Sequence, residues 1–98
     1  MKKFILKAEN LTDWLSFHKE FKRVLGFPEY YGENMNAWID CLDELSAEEQ
    51  ILIHIENGKL LKEIAPEILE ALLERAAFIN YRKIDVGESP SLLISINI

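Results

Sequence analysis

Short apolar runs near the start, middle and end of the chain alternate with longer stretches whose apolar residues recur every three to four positions. Phe4 to Ala8 reads as a short strand. Thr12 is the predicted cap of a first helix, in which Trp14, Phe17, Phe21, Val24 and Leu25 keep helical spacing and Gly26 is placed to end it. Pro28 cannot continue that helix, so Phe27 to Gly32 is a loop with two tyrosines held near a glycine. Asn34 then caps a second helix running to about Leu45. Gln50 to Ile55 is β-branched and nearly continuously apolar, which predicts a strand buried on both faces of a parallel sheet, closed by Asn57-Gly58. Lys59 to Ala65 forms a short helix. Pro66 restarts one, and Ile68, Leu69, Leu72, Leu73 and Ala76 carry the period to about Tyr81. Asp85 to Pro90 is a turn cluster and Ser91 to Ile98 a final strand.

Strands separated by helical crossovers run the same way. The predicted fold is therefore α/β: one compact domain over residues 1–98, with a three-stranded parallel sheet packed against about four helices. The length of 98 residues fits one domain and excludes two. A composition 49% hydrophobic and 29% charged excludes disordered and fibrous classes. A single cysteine, Cys41, allows no intramolecular disulfide and points to a reducing, cytoplasmic setting. After the basic start, Lys7, Glu9 and Asn10 cut the apolar run far below that of a secretory signal. No stretch approaches the ~18 apolar residues of a membrane span, so no membrane partner is expected. Asn10-Leu11-Thr12 fits a glycosylation sequon, which has no meaning in the cytosol.

Charge changes the picture more than composition does. The net charge is −6, and Val24 to Gly58 holds eight acids with no Lys or Arg. A negative block of this kind repels phosphate backbones and steers basic partners toward it, so direct nucleic-acid binding is not expected. The plain alternative is a solvated acidic face. Stepping about 100° per residue along the second helix places Met35, Trp38, Cys41, Leu42 and Leu45 on a core side. Asn36, Asp40, Asp43 and Glu44 fall on the opposite side, with Ile39 at its edge either as an exposed anchor or as peripheral core. Cys41 reads as a small buried hydrophobe.

Asp40 and Glu44 stand i, i+4 and could in principle form an acid–base pair or half a metal site. The chain has no nucleophile motif, no HExxH and no phosphate-cradling glycine loop, and its two histidines are read as a surface residue (His18) and a hydrogen-bonded strand residue (His54). Catalysis, cofactors and metals are accordingly not expected. Of Tyr30 and Tyr31, one is read as a lid over the core. A self-associating module using the edge of Ser91 to Ile98 is a further class, although a monomer is expected when the protein is free.

The run Phe27-Pro28-Glu29-Tyr30-Tyr31-Gly32-Glu33-Asn34-Met35-Asn36-Ala37-Trp38-Ile39-Asp40-Cys41-Leu42 closely resembles the signature of the barstar family, intracellular inhibitors of barnase-like secreted ribonucleases. The resemblance implies a three-stranded parallel sheet with about four helices, in agreement with the periodicity. It also implies a partner-binding face made by the loop and second helix. There Tyr30 would pack on a basic microbial ribonuclease, the backbone around Gly32 and Asn34 would approach it closely, and Asp40 would enter its active site.

A nuclease lines that site with cations to hold phosphate, and a helix-borne carboxylate can take the phosphate's place with charge-assisted hydrogen bonds. Asn36 stands where the family usually has an acid, and Ile39 where it usually has an aromatic. Ala47 to Gln50 lacks the proline that often precedes the family's second strand. On a later helix, Glu74 best matches a glutamate that can touch the enzyme. These departures imply a diverged partner, such as a nuclease toxin domain of another type, for which the chain would be the immunity protein.

Overall fold

A computed structural model describes all residues from Met1 to Ile98. Three strands, β1 (Lys2–Lys7), β2 (Ile51–Glu56) and β3 (Leu92–Ile96), form one sheet in the order β1-β2-β3. Both pairings are parallel, with Lys2 opposite Ile51 and Ile51 opposite Leu92. The crossovers carry α1 (Trp14–Leu25) and α2 (Met35–Leu45), then α3 (Gly58–Ile64) and α4 (Pro66–Asp85). This is the expected architecture of three parallel strands and four helices. No helix is long and apolar enough to cross a membrane.

Several boundaries differ from the periodic reading, each for a local reason. Helix α1 is capped by Asp13, one residue after Thr12, because its carboxylate accepts from the Ser16 N–H at 2.8 Å. A carboxylate at that position also meets the positive end of the helix, and these bonds hold the Asp13 carboxyl below its ordinary range. Strand β1 begins at Lys2 and ends at Lys7, since Ala8 to Asn10 turn as a 3-10 helix. Helix α4 runs past Tyr81 to Asp85, and Gly87 then turns the chain at φ 83°. Gly26 ends α1 as expected, at φ 72°.

The central strand is not buried on both faces. Ile51, Ile53 and Ile55 face the core, while Leu52 and His54 are only half-buried, so the helices cover one side of the sheet and leave the other partly open. His54 takes a hydrogen bond with Ser95 of β3 across that open side, at 2.9 Å, which is the structural role read for it. The outer edges of β1 and β3 remain unpaired, and lysines at Lys2, Lys3 and Lys7 make β1 a poor template for another strand.

The Asn57-Gly58 turn is more constrained than a turn signal suggests. Asn57 adopts φ 59°, and a Cβ on Gly58 would lie 2.7 Å from the Asn97 carbonyl oxygen as well as against the Ile96 side chain. Backbone cannot retreat as a side-chain tip can, so Gly58→Ala is expected to cost about 1–3 kcal/mol. Urea denaturation checks this: an unchanged midpoint would mean that the end of β3 yields freely.

Candidate functional site

The loop between α1 and α2 is fixed from two ends. Tyr31 is buried, packs against Phe27 with ring centroids 4.8 Å apart, and shares a hydrogen bond with His18 Nδ1 at 2.5 Å. Tyr31 is therefore the lid over the core. Its neighbour is turned the other way, and Tyr30 stands 85% exposed. At the second end, Asn34 Oδ1 accepts from the Ala37 N–H at 2.9 Å, and Asn34 Nδ2 donates to the Gly32 carbonyl at 3.1 Å. Asn34 thus caps α2 and pins the loop to it. Glu33, at φ 51°, takes the left-handed turn that the pinning requires. A Cβ at Gly32 would lie 3.2 Å from Asn34 Nδ2, so a larger residue there would press on the cap.

His18 is a correction to the sequence reading. It lies in the core beside Trp14 and Phe17, because its ring is the partner that the Tyr31 hydroxyl needs. Burial lowers its pKa from the ordinary 6.5, with the Glu33 carboxylate opposing that in part. The unfolded chain then takes up the proton first as pH falls. The stabilising difference is complete above about 6.5 and is lost as pH descends through the lower folded value. Thermal melts between pH 7.5 and 5.5 are expected to fall with pH, and His18→Gln to flatten that slope. Glu20 behaves separately: hydrogen bonds from Arg23 and Asn10 hold its carboxyl below the ordinary 4.5, so its contribution fades only under more acid conditions.

Helix α2 is rotated relative to the face read from sequence. Trp38, Ile39, Leu42 and Ser46 at its end are buried, while Met35 and Cys41 are half-buried. The inward direction lies about half a residue step toward Ile39, because α2 packs beside α4. Ile39, 8% exposed, is core and not an exposed anchor. Cys41 is at the margin, not in the interior. Burial first, then the carboxylates of Glu44 and Asp40, push its thiol above the ordinary range, which keeps it protonated and unreactive.

The same rotation turns Asn36, Asp40 and Glu44 outward. Tyr30, Gly32, Asp40 and Glu44 converge around a hollow of about 220 Å³, whose floor includes Tyr31, Ala37 and Cys41. Asn34 reaches its rim through the Gly32 carbonyl, whereas Asn36 does not line it. Asp43 points elsewhere and forms an ion pair with Arg82 of α4. The Arg82 guanidinium also lies over the Phe78 ring, 4.8 Å from its centroid. Glu74 is one helical turn before Phe78 on that row of α4, exposed and bonded to its neighbour Arg75. The row Glu74-Phe78-Arg82 thus lies on one side of α4 and is joined to α2 at Arg82. Nothing local in the sequence announces Arg82, whose partner is 39 positions away.

Of the acids in the negative block, Glu29 pairs with Lys22, Asp43 with Arg82 and Glu49 with the N-terminal amine. Glu33, Asp40, Glu44, Glu48 and Glu56 have no ion-pair partner in the chain. No group of three or more His, Cys, Asp or Glu side chains is placed to hold a metal. The site thus offers an exposed aromatic ring, backbone groups and unneutralised carboxylates around a shallow hollow, an arrangement suited to binding a cationic surface.

The family model described as Barstar (barnase inhibitor) matches residues 1–84. A curated relative, "Putative ribonuclease inhibitor YrdF" of Bacillus subtilis (strain 168), is 38% identical over 42 residues, which are 43% of this chain and 46% of that protein. The chain thus spans somewhat under half the length of the curated relative it matches.

Proposed function

The chain belongs to the barstar family, and from that membership we propose that it inhibits a basic ribonuclease by covering the nuclease active site with the face built from Tyr30, Gly32, Asn34, Asp40 and Glu44. Barstar-family proteins are non-enzymatic inhibitors of ribonucleases such as barnase, so the carboxylates here are asked to bind and not to react. The observation that carries the reading is the convergence of Tyr30, Gly32, Asp40 and Glu44 on one hollow whose acids are left unpaired by the rest of the chain.

The physics follows from the partner's own task. A nuclease that holds a phosphodiester presents Arg, Lys and His around the phosphate position. The Asp40 carboxylate, on a rigid helix and free of internal bases, enters that position with charge-assisted hydrogen bonds. Tyr30 supplies a rigid aromatic contact beside it at low entropic cost. The nuclease is blocked because substrate and inhibitor compete for the same cations. Surplus negative charge around Asp40 accelerates encounter and makes association fall with salt.

A second reading, immunity against a nuclease toxin domain of another type, is favoured by two departures from the family pattern: Asn36 is neutral, and Ile39 is aliphatic and in the core. The test is inhibition of barnase, other basic microbial ribonucleases and nuclease toxin domains by the full chain. Inhibition of a barnase-like enzyme supports the first reading, and inhibition of a toxin domain alone the second. Inhibition of none would remove both for the enzymes assayed.

A further inference from the structure

Tyr30 has a hollow on either side. The one toward Gly32 belongs to the site already described. The other, about 430 Å³, opens toward the end of α1. Phe27, Pro28 and Leu45 give it apolar walls together with Tyr30, and Glu44 and Glu48 supply its charge. No Lys, Arg or His lines it, and neither glutamate has an ion-pair partner within the chain. Pro28, Cys41 and Glu44 line both hollows together with Tyr30, so the two are neighbours.

A hollow with apolar walls and unneutralised carboxylates suits one kind of guest. An anion is repelled there, and a purely apolar group would strip water from the glutamates without replacing it. A cation on an aliphatic stem satisfies both parts: its methylenes cover Phe27, Pro28 and Leu45 while its head meets Glu44 and Glu48. A guanidinium fits better than an ammonium, because it can stack on the Tyr30 ring and bond more than one carboxylate.

We propose that this second hollow receives an arginine or lysine side chain of the nuclease, adjacent to the basic cluster that meets Asp40. The identity of the occupant rests on the nuclease-binding reading; the chemistry of the slot does not. Glu48, which lines this hollow and not the one toward Gly32, is then a specificity-determining residue, selecting nucleases with a basic side chain at that distance from their phosphate site.

The slot is tested on the ¹⁵N-labelled full chain by titration with n-butylguanidinium, with guanidinium and n-butanol as controls lacking the stem or the charge. Saturable shifts are expected at Gly26, Phe27, Leu45 and Glu48. Binding should be at least about threefold weaker with either control and abolished in the Glu44→Gln/Glu48→Gln double variant. Absence of saturable shifts at these positions, or equal binding of butanol, overturns the proposal. In the complex with barnase, Glu48→Gln is expected to weaken affinity about three- to fivefold at low salt, and Glu48→Lys by more. Asp40-dependent binding that neither Glu48 variant alters overturns the slot while leaving the inhibitor reading in place. If barnase is not bound, the inhibitor reading loses that target and the titration alone decides the slot.

Discussion

Replacing Trp38 by alanine is expected to destabilise the fold by about 3–5 kcal/mol, the range for emptying a large aromatic from a core that cannot collapse around the gap. Trp38 is fully buried, with its ring centroid 5.5 Å from that of Phe21 and 6.3 Å from that of Phe17. It therefore joins α2 to α1 from the inside, directly beneath the face that carries Asp40. Trp38→Phe should cost far less than the volume change suggests. The indole Nε1–H has no hydrogen-bond partner, and a buried orphan donor carries a desolvation penalty of about 1–3 kcal/mol that phenylalanine removes. Guanidinium denaturation of both variants checks the pair. A cost for Trp38→Phe equal to that for Trp38→Ala would mean that the indole N–H is satisfied in solution.

Element order and type were legible because each rests on a short-range rule. Gly26 and Asn34 are local caps, β2 is a β-branched run, and Pro66 opens α4 where the first turn tolerates it. What was not legible depends on residues far apart in the chain. His18 stands four residues after Trp14 and three before Phe21, on the apolar side of α1, but a polar ring is satisfied there only by a partner, and that partner is the hydroxyl of Tyr31, thirteen positions away. Ile39 stands one turn before Asp43, on the side of α2 that Arg82 joins to α4, an element the period of α2 cannot report. The second face of β2 is half open because both crossovers lie over the other side, a matter of topology and not of composition. For the candidate site, the family-like run from Phe27 to Leu42 named Tyr30, Gly32, Asn34 and Asp40 together, and the helical projection of α2 added Glu44. Only the three-dimensional arrangement adds that Asp43 is taken by Arg82, and that Tyr30 lines two neighbouring hollows.

Asp40→Ala is expected to weaken binding of the target nuclease by at least about 2 kcal/mol, roughly thirtyfold in Kd, while leaving the unfolding midpoint unchanged. The two halves of that statement have separate grounds. Asp40 is exposed and has no ion pair within the chain, so the free protein loses little by its removal. In the complex its carboxylate would be the counter-charge to cations drawn out of water, and deleting one partner of such a pair leaves the other buried and unpaired. Asp43→Ala should behave oppositely: it frees Arg82 and places an unneutralised cation beside the acidic face, so any loss of binding comes through the field and shrinks as salt rises. Calorimetric titrations of the two variants at low and moderate salt distinguish these cases. A loss below about 0.5 kcal/mol for Asp40→Ala, with tight binding otherwise intact, would place the nuclease on another surface. A loss for Asp43→Ala that salt does not diminish would mean that the Asp43–Arg82 pair itself lies in the interface.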